Sequence, residues 1–124
     1  MSRIASVAFL VFYAWGFGGL SSVKAETETW RIRSFHPYTA QLEFYSQDRK
    51  GLVWPGRGQV YALRDSSFHT YSLECNPGER ICWGAWDTGS GSPYWGVGRN
   101  SRHGCTGCCW TCGRKGEPRG INLR

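Results

Sequence analysis

The densest chemistry in the chain lies in Cys105-Thr106-Gly107-Cys108-Cys109-Trp110-Thr111-Cys112, two C-x-x-C units joined without a spacer, with His103 just ahead. Thiolates at Cys105, Cys108, Cys109 and Cys112 would suit zinc or copper(I), which favour soft sulfur, and each C-x-x-C supplies two ligands from one turn. A tetrahedral site usually takes its two turns from separated parts of a chain, whereas Cys108 and Cys109 are adjacent and tend to point apart. Oxidation offers two other outcomes: structural disulfides, or a pair that exchanges with other thiols. Cys75 and Cys82 bring the count to six, and an even count in a short exported chain favours disulfides. Disulfide bonding is therefore expected, with thiolate metal binding as the alternative; no cofactor is implied.

Cys75 and Cys82 flank Asn76-Pro77-Gly78-Glu79-Arg80-Ile81. The spacing predicts a hairpin over 73–82 with the two cysteines bonded at its shoulders, a short-loop bridge contributing about 2–3 kcal/mol. The other four cysteines then allow three connectivities. Cys105 with Cys109 or Cys112 is easier to form than a vicinal Cys108–Cys109 bond.

A second constellation is aromatic and basic. Trp30, Trp54, Trp83, Trp86, Trp95 and Trp110 follow residue 25. Trp83 and Trp86 stand three apart in a predicted strand and should face opposite sides of it, unless that strand is covered on both faces or bulged at Gly84. One of them, or Trp54 at a Trp-Pro-Gly turn, is expected at the surface, where an aromatic ring can stack on a sugar or a lipid interface. Charge is segregated. Residues 26–98 carry 7 basic and 8 acidic groups, whereas residues 99–124 carry Arg99, Arg102, Arg114, Lys115, Arg119 and Arg124 against Glu117 alone. The tail 114–124 is expected to be flexible and able to dock on an anionic surface. Trp54, Trp86, Trp95, Arg99, Arg102, Arg114 and Lys115 are thus the candidate contact residues. No nucleic-acid fold motif accompanies the basic residues, which argues against nucleic acid as partner.

Catalytic signals are thin. His36, His69 and His103 are scattered, with no H-E-x-x-H and no G-x-S-x-G. Gly96-Val97-Gly98 lacks the helix that a phosphate-binding loop requires. Asp48, Asp65 and Asp87 lie at predicted turns, where Asx hydrogen bonding explains them.

The elements that must position these groups read as strands. Residues 30–35, 41–46, 59–64, 68–75, 81–87 and 94–97 alternate or are rich in aromatic and β-branched residues. In the first of these, Trp30, Ile32 and Ser34 share one face and Arg31 and Arg33 the other. Clusters such as Asp48-Arg49-Lys50-Gly51, Trp54-Pro55-Gly56 and Gly89-Ser90-Gly91-Ser92-Pro93 separate them as turns. No apolar 3.6-residue period is sustained after residue 25, so the expected fold is all-β, a small antiparallel sandwich or barrel-like domain.

The N-terminus predicts export. Arg3 precedes an apolar run from Ile4 to Leu20, and Val23 and Ala25 occupy the −3 and −1 positions of a small-residue cleavage site. An uncleaved anchor is the competing outcome, since roughly 17 residues nearly span a bilayer. Gly16, Gly18 and Gly19 weaken that run. Residues 1–25 are thus expected to be a signal peptide, 26–113 a disulfide-braced β-domain and 114–124 a basic tail, in a periplasmic or secreted setting. Loss of Arg3 and Lys24 leaves 13 basic against 9 acidic residues. A chain of this size buries only about 60–65% of its unfolded surface, so cross-links matter.

The succession Phe44-Tyr45-Ser46-Gln47, Trp54-Pro55-Gly56, Gly78-Glu79-x-Ile81-Cys82-x-Gly84-Ala85-Trp86, Tyr94-Trp95-Gly96-Val97-Gly98 and Cys105-x-x-Cys108-Cys109-x-x-Cys112 resembles small exported bacterial proteins of uncharacterised function. The resemblance implies an exported, β-rich domain and assigns no activity. Together these features lead to an expected binding or cell-envelope interaction module, with an anionic glycan or envelope surface as partner and no catalytic residues. The alternatives are a thiolate metal-binding protein and a small secreted hydrolase or toxin.

Overall fold

The computed structural model describes residues 25–114 and 120–124. The expected signal peptide before Ala25, and Lys115 within the basic tail, lie outside these residues. Among the described residues no helix is long and apolar enough to cross a membrane.

Among the described residues nine strands follow in order: β1 Glu26–Ser34, β2 Ala40–Ser46, β3 Val53–Trp54, β4 Tyr61–Leu63, β5 His69–Cys75, β6 Arg80–Asp87, β7 Tyr94–Gly96, β8 Cys109–Thr111 and β9 Gly120–Leu123. They form the all-β, sandwich-like, disulfide-braced architecture that the alternation implies. One sheet has three strands in the order β5-β1-β9. The other is built on the antiparallel β2–β6 pair, registered from Ala40 opposite Asp87 to Ser46 opposite Ile81. Short strands flank that pair: β3 and β4 lie along β2, and β7 and β8 lie along β6.

The core is the space between the sheets. Trp30, Ile32, Leu73 and Leu123 from the first sheet meet Leu42, Phe44, Ile81 and Ala85 from the second, all of them fully buried or nearly so. Trp30 stacks on Trp110 with ring centroids 4.2 Å apart and meets Phe44 at 5.1 Å. Aromatic pairs of this kind add about 0.5–1.5 kcal/mol beyond the area they bury.

The predicted hairpin over 73–82 is not formed. β5 pairs with β1 over seven residues and β6 pairs with β2 over seven, so the two ladders draw adjacent strands into different sheets. The tight turn between them is real, with Glu79 N–H donating to the Asn76 carbonyl at 2.9 Å, but it hands the chain across the sandwich. Cys75 and Cys82 are therefore not bonded to each other. The bridges are Cys75–Cys112, Cys82–Cys109 and Cys105–Cys108, which also replaces the expected Cys105 pairing to Cys109 or Cys112. Cys82 and Cys109 stand opposite one another in the β6–β8 register, so that bridge pins the ladder.

Two further expectations are corrected. Trp83 and Trp86 are both buried, at 8% and 2% exposure. β6 is a central strand with the inter-sheet core on one face and the segment around Gly98 laid over the other. Gly84 permits that approach, because a Cβ there would collide with the Gly98 carbonyl. Gly84→Ala is accordingly expected to cost about 2–3 kcal/mol and to lower the thermal midpoint by roughly 10–20 °C, measurable by circular dichroism melting. The basic tail is also not wholly free. Gly120–Leu123 pairs parallel with β1 from Arg31 to Ser34, Leu123 is fully buried, and Phe35 N–H donates to the Leu123 carbonyl at 2.8 Å.

Candidate functional site

The inward alternation of β1 buries Trp30, Ile32 and Ser34 and leaves Arg31 and Arg33 on the outer face of the three-stranded sheet. Phe35 lies just past the end of that strand at 41% exposure. Phe68, immediately before β5, reaches the same face. Arg31 lies over the Phe68 ring at 4.4 Å, and Arg33 lies over Phe68 at 4.4 Å and over Phe35 at 4.6 Å. Arg124, at the end of β9, covers Phe35 at 4.6 Å. The result is a row: Arg31, Phe68, Arg33, Phe35, Arg124. β9, beside β1 in the same sheet, flanks it, with Arg33 Nε donating to Asn122 Oδ1 at 2.9 Å. Gly120 sits so close under Phe68 that a Cβ would lie 3.1 Å from the ring.

Cation–π contacts are worth about 0.5–1 kcal/mol each at exposed sites, which biases the guanidinium groups toward this row. Three cations in one row repel one another. Among the described residues, the ion pairs are His36–Asp87, Arg49–Glu79 and His69–Asp65; none offsets this row. Such an array favours a ligand with several negative groups, and the planar guanidinium fork binds carboxylate, sulfate or phosphate in two-point fashion.

One end of the row continues into a second cluster. The half-buried Trp95 donates from Nε1 to the Arg124 carbonyl at 2.8 Å. Its ring meets the edge of His36 at 5.2 Å, and His36 meets the exposed Tyr38 at 5.7 Å. His36 Nε2 lies 2.7 Å from Asp87 Oδ2. The other Asp87 oxygen accepts the Gly89 and Ser90 N–H groups at 2.8 and 3.1 Å. The His36 hydrogen bond, followed by these amides, holds the Asp87 carboxyl below the usual carboxylate range. Asp87 thus caps its turn, as its position implies, and also orients a histidine. Among the described residues no hydroxyl hydrogen-bonds to the His36 ring.

On the opposite face of the six-stranded sheet a buried polar patch surrounds Glu43. Burial pushes its carboxyl up, opposed in part by the Tyr45 hydroxyl, which donates at 3.3 Å, and by the charge of Arg99. The Tyr45 hydroxyl also lies 3.0 Å from the Gly98 carbonyl and accepts the Asn100 N–H at 3.0 Å. It thereby anchors the covering segment, in which Asn100 and Ser101 both have positive φ.

The contact residues predicted from sequence do not converge. Trp86 is interior, its Nε1 donating to Gln41 Oε1 at 2.9 Å, and Arg99 lies 5.7 Å over its ring. In the β6–β7 register Trp86 faces Tyr94 while Trp95 faces Ala85, which places Trp86 and Trp95 on opposite faces of the sheet. Trp54 is half-buried on β3 opposite Phe44. Arg102 and Arg114 are exposed at separate turns. All six sulfurs are paired, so Cys105, Cys108, Cys109 and Cys112 present no thiolate to a metal in this structure. Of the predicted set, Trp95 joins the arginine row, which sequence reasoning missed. Its signal was present in Trp30-Arg31-Ile32-Arg33, but the near-neutral balance of residues 26–98 hid it.

Compared with known proteins, the chain matches no family model, and no curated protein and no solved structure gives a significant match.

Proposed function

We propose that the protein is an exported binding module that docks on an anionic glycan of the cell envelope through Arg31, Arg33 and Arg124. The observation that carries this reading is the row of three guanidinium groups held on Phe68 and Phe35, without a carboxylate partner among the described residues. Prefixing the guanidiniums lowers the ordering cost of binding, and the adjoining half-buried Trp95 supplies an indole for a sugar face. A glycan carrying repeated carboxylate, sulfate or phosphate groups along an extended chain matches a linear array better than a single small anion does. The rival metal and hydrolase readings draw less support. The first needs thiolates that are engaged in bridges, and the second rests on a His36–Asp87 pair whose carboxylate already caps a turn.

Affinity chromatography on dextran sulfate, with neutral dextran as control, tests the reading. Retention on the sulfated matrix alone is expected, and it should weaken with added salt because screening lengths fall from about 10 Å at 0.1 M to 3 Å at 1 M. The triple variant Arg31→Gln, Arg33→Gln, Arg124→Gln should bind at least about tenfold more weakly, roughly 1.4 kcal/mol. Undiminished retention of that variant contradicts the proposal.

A further inference from the structure

The three bridges are not equivalent. Cys75–Cys112 and Cys82–Cys109 join residues 37 and 27 apart in sequence and tie β5 and β6 to the C-terminal segment. Cys105–Cys108 joins residues three apart inside one loop and connects no two elements. By loop closure it restricts the unfolded chain least of the three. Its place in the fold therefore calls for another explanation.

Access also distinguishes it. Cys75, Cys82 and Cys112 are buried, whereas Cys105 is half-exposed among the exposed residues Gly104, Thr106 and Gly107. A Cβ added at Gly104 or Gly107 would meet nothing within 4 Å, so the loop on either side of Cys105 is open, while Cys105 itself is only partly buried against the core. Its partner Cys108 is buried and held against β6, where its carbonyl accepts the Trp83 N–H at 3.1 Å. An accessible sulfur thus precedes a fixed, sheltered one by three residues. The sequence around the pair is cationic as well: residues 99–114 hold Arg99, Arg102 and Arg114 and no acidic residue. Nearby positive charge favours a thiolate, both in an incoming nucleophile and in the leaving group.

We infer that Cys105–Cys108 is a thiol–disulfide exchange site that accepts electrons from a dithiol. The thiolate of the dithiol attacks Cys105 Sγ, the Cys105–Cys108 bond breaks, and Cys108 leaves as a thiolate that takes a proton from solvent. The second thiol of the dithiol, having lost its proton to water, attacks its own sulfur in the mixed disulfide and expels the Cys105 thiolate, which is then protonated. One dithiol becomes a disulfide and one disulfide becomes two thiols, with two electrons transferred. Cys75–Cys112 and Cys82–Cys109 stay closed throughout. This activity is independent of the arginine row.

The test is graded reduction of the whole exported chain with dithiothreitol in native buffer, followed by alkylation with iodoacetamide and peptide mass mapping. Cys105 and Cys108 should be labelled at a dithiothreitol concentration at least about tenfold below that needed for the other four cysteines. Circular dichroism should show the fold intact at that point. The variant Cys108→Ser should collect one glutathione at Cys105 from oxidised glutathione. Removing the pair, Cys105→Ala with Cys108→Ala, should shift the thermal midpoint far less than removing Cys75 and Cys112. Simultaneous appearance of all six thiols as the protein unfolds would overturn the inference. So would prior opening of either long-range bridge, or a failure of Cys105 to take up glutathione in a folded Cys108→Ser protein.

Discussion

Replacing Cys75 and Cys112 together by alanine is expected to lower stability by about 4 kcal/mol, the largest effect of any change considered. The bridge spans 37 residues, and in the chain-entropy account a loop of that length restricts the unfolded chain by about this amount. Both sulfurs are also nearly fully buried, so packing adds to the loss. Domains of this size have about 5–15 kcal/mol in hand. Thermal melting should place the double variant roughly 15–30 °C below the parent. The reason is architectural. Cys75 ends β5, which the turn at Asn76–Glu79 separates from β6, and Cys112 follows β8 on the other sheet. The Gly78 N–H donates to the Cys112 carbonyl at 2.9 Å and the Cys112 N–H donates to the Glu79 carbonyl at 2.8 Å, so the bridge closes a seam already laced by backbone hydrogen bonds. A drop of only a few degrees would mean that those backbone bonds and the core hold the sheets together without it.

Glu79→Ala is expected to cost about 2–3 kcal/mol in urea unfolding. Its side chain is 1% exposed and pairs with Arg49, whose Nε and Nη2 donate at 2.7 and 2.6 Å. The Ser46 hydroxyl donates to the same carboxylate, and the Asn76 N–H donates at 2.9 Å. Removing the carboxylate takes the acceptor from four donors on three residues at the base of two turns. The figure stays below that of a fully interior pair because Arg49 is 42% exposed and partly screened by water. Arg49 first, then Ser46 and Asn76, lower the Glu79 carboxyl to about 2. A carboxyl lowered on folding adds stability above its unfolded pKa, here the ordinary Glu value near 4.5, and loses it as pH falls through the folded one. Parental stability should therefore decline between about pH 5 and pH 2, and the variant should show a flatter acid limb. Identical acid limbs would mean that the Glu79 carboxylate contributes nothing to the acid dependence of stability.

Where residues alternate over long ladders, the fold was legible. The inward set Trp30, Ile32 and Ser34 on β1 and the extents of β2 and β5 follow from period-two patterning, and that of β6 from its run of aromatic and β-branched residues. β9 was not legible, because Ile121 and Leu123 are only two apolar residues inside a stretch dominated by Arg and Gly. Turn chemistry at Asn76-Pro77-Gly78 marked a reversal correctly, yet a turn does not say which strand each arm will pair with. That choice belongs to the longer ladders with β1 and β2, and the disulfide pattern follows from it. The arginine row was hidden for a related reason. Arg31 and Arg33 lie about 90 residues before Arg124 in sequence and become neighbours only through the parallel β1–β9 pairing. Summing charge along the chain assigned basicity to Arg99, Arg102 and the tail, whereas the sheet gathers it on β1 and the last residue.

Whether and where an anionic glycan binds is read directly by a heteronuclear NMR titration with a short dextran sulfate fragment. The side-chain Nε–Hε signals of Arg31, Arg33 and Arg124 and the Trp95 indole N–H are expected to shift together along one binding curve, while those of Arg99, Arg102 and Arg114 stay in place. Shifts centred on Arg99 and Arg102, or no saturable shift at any arginine, would contradict the proposal.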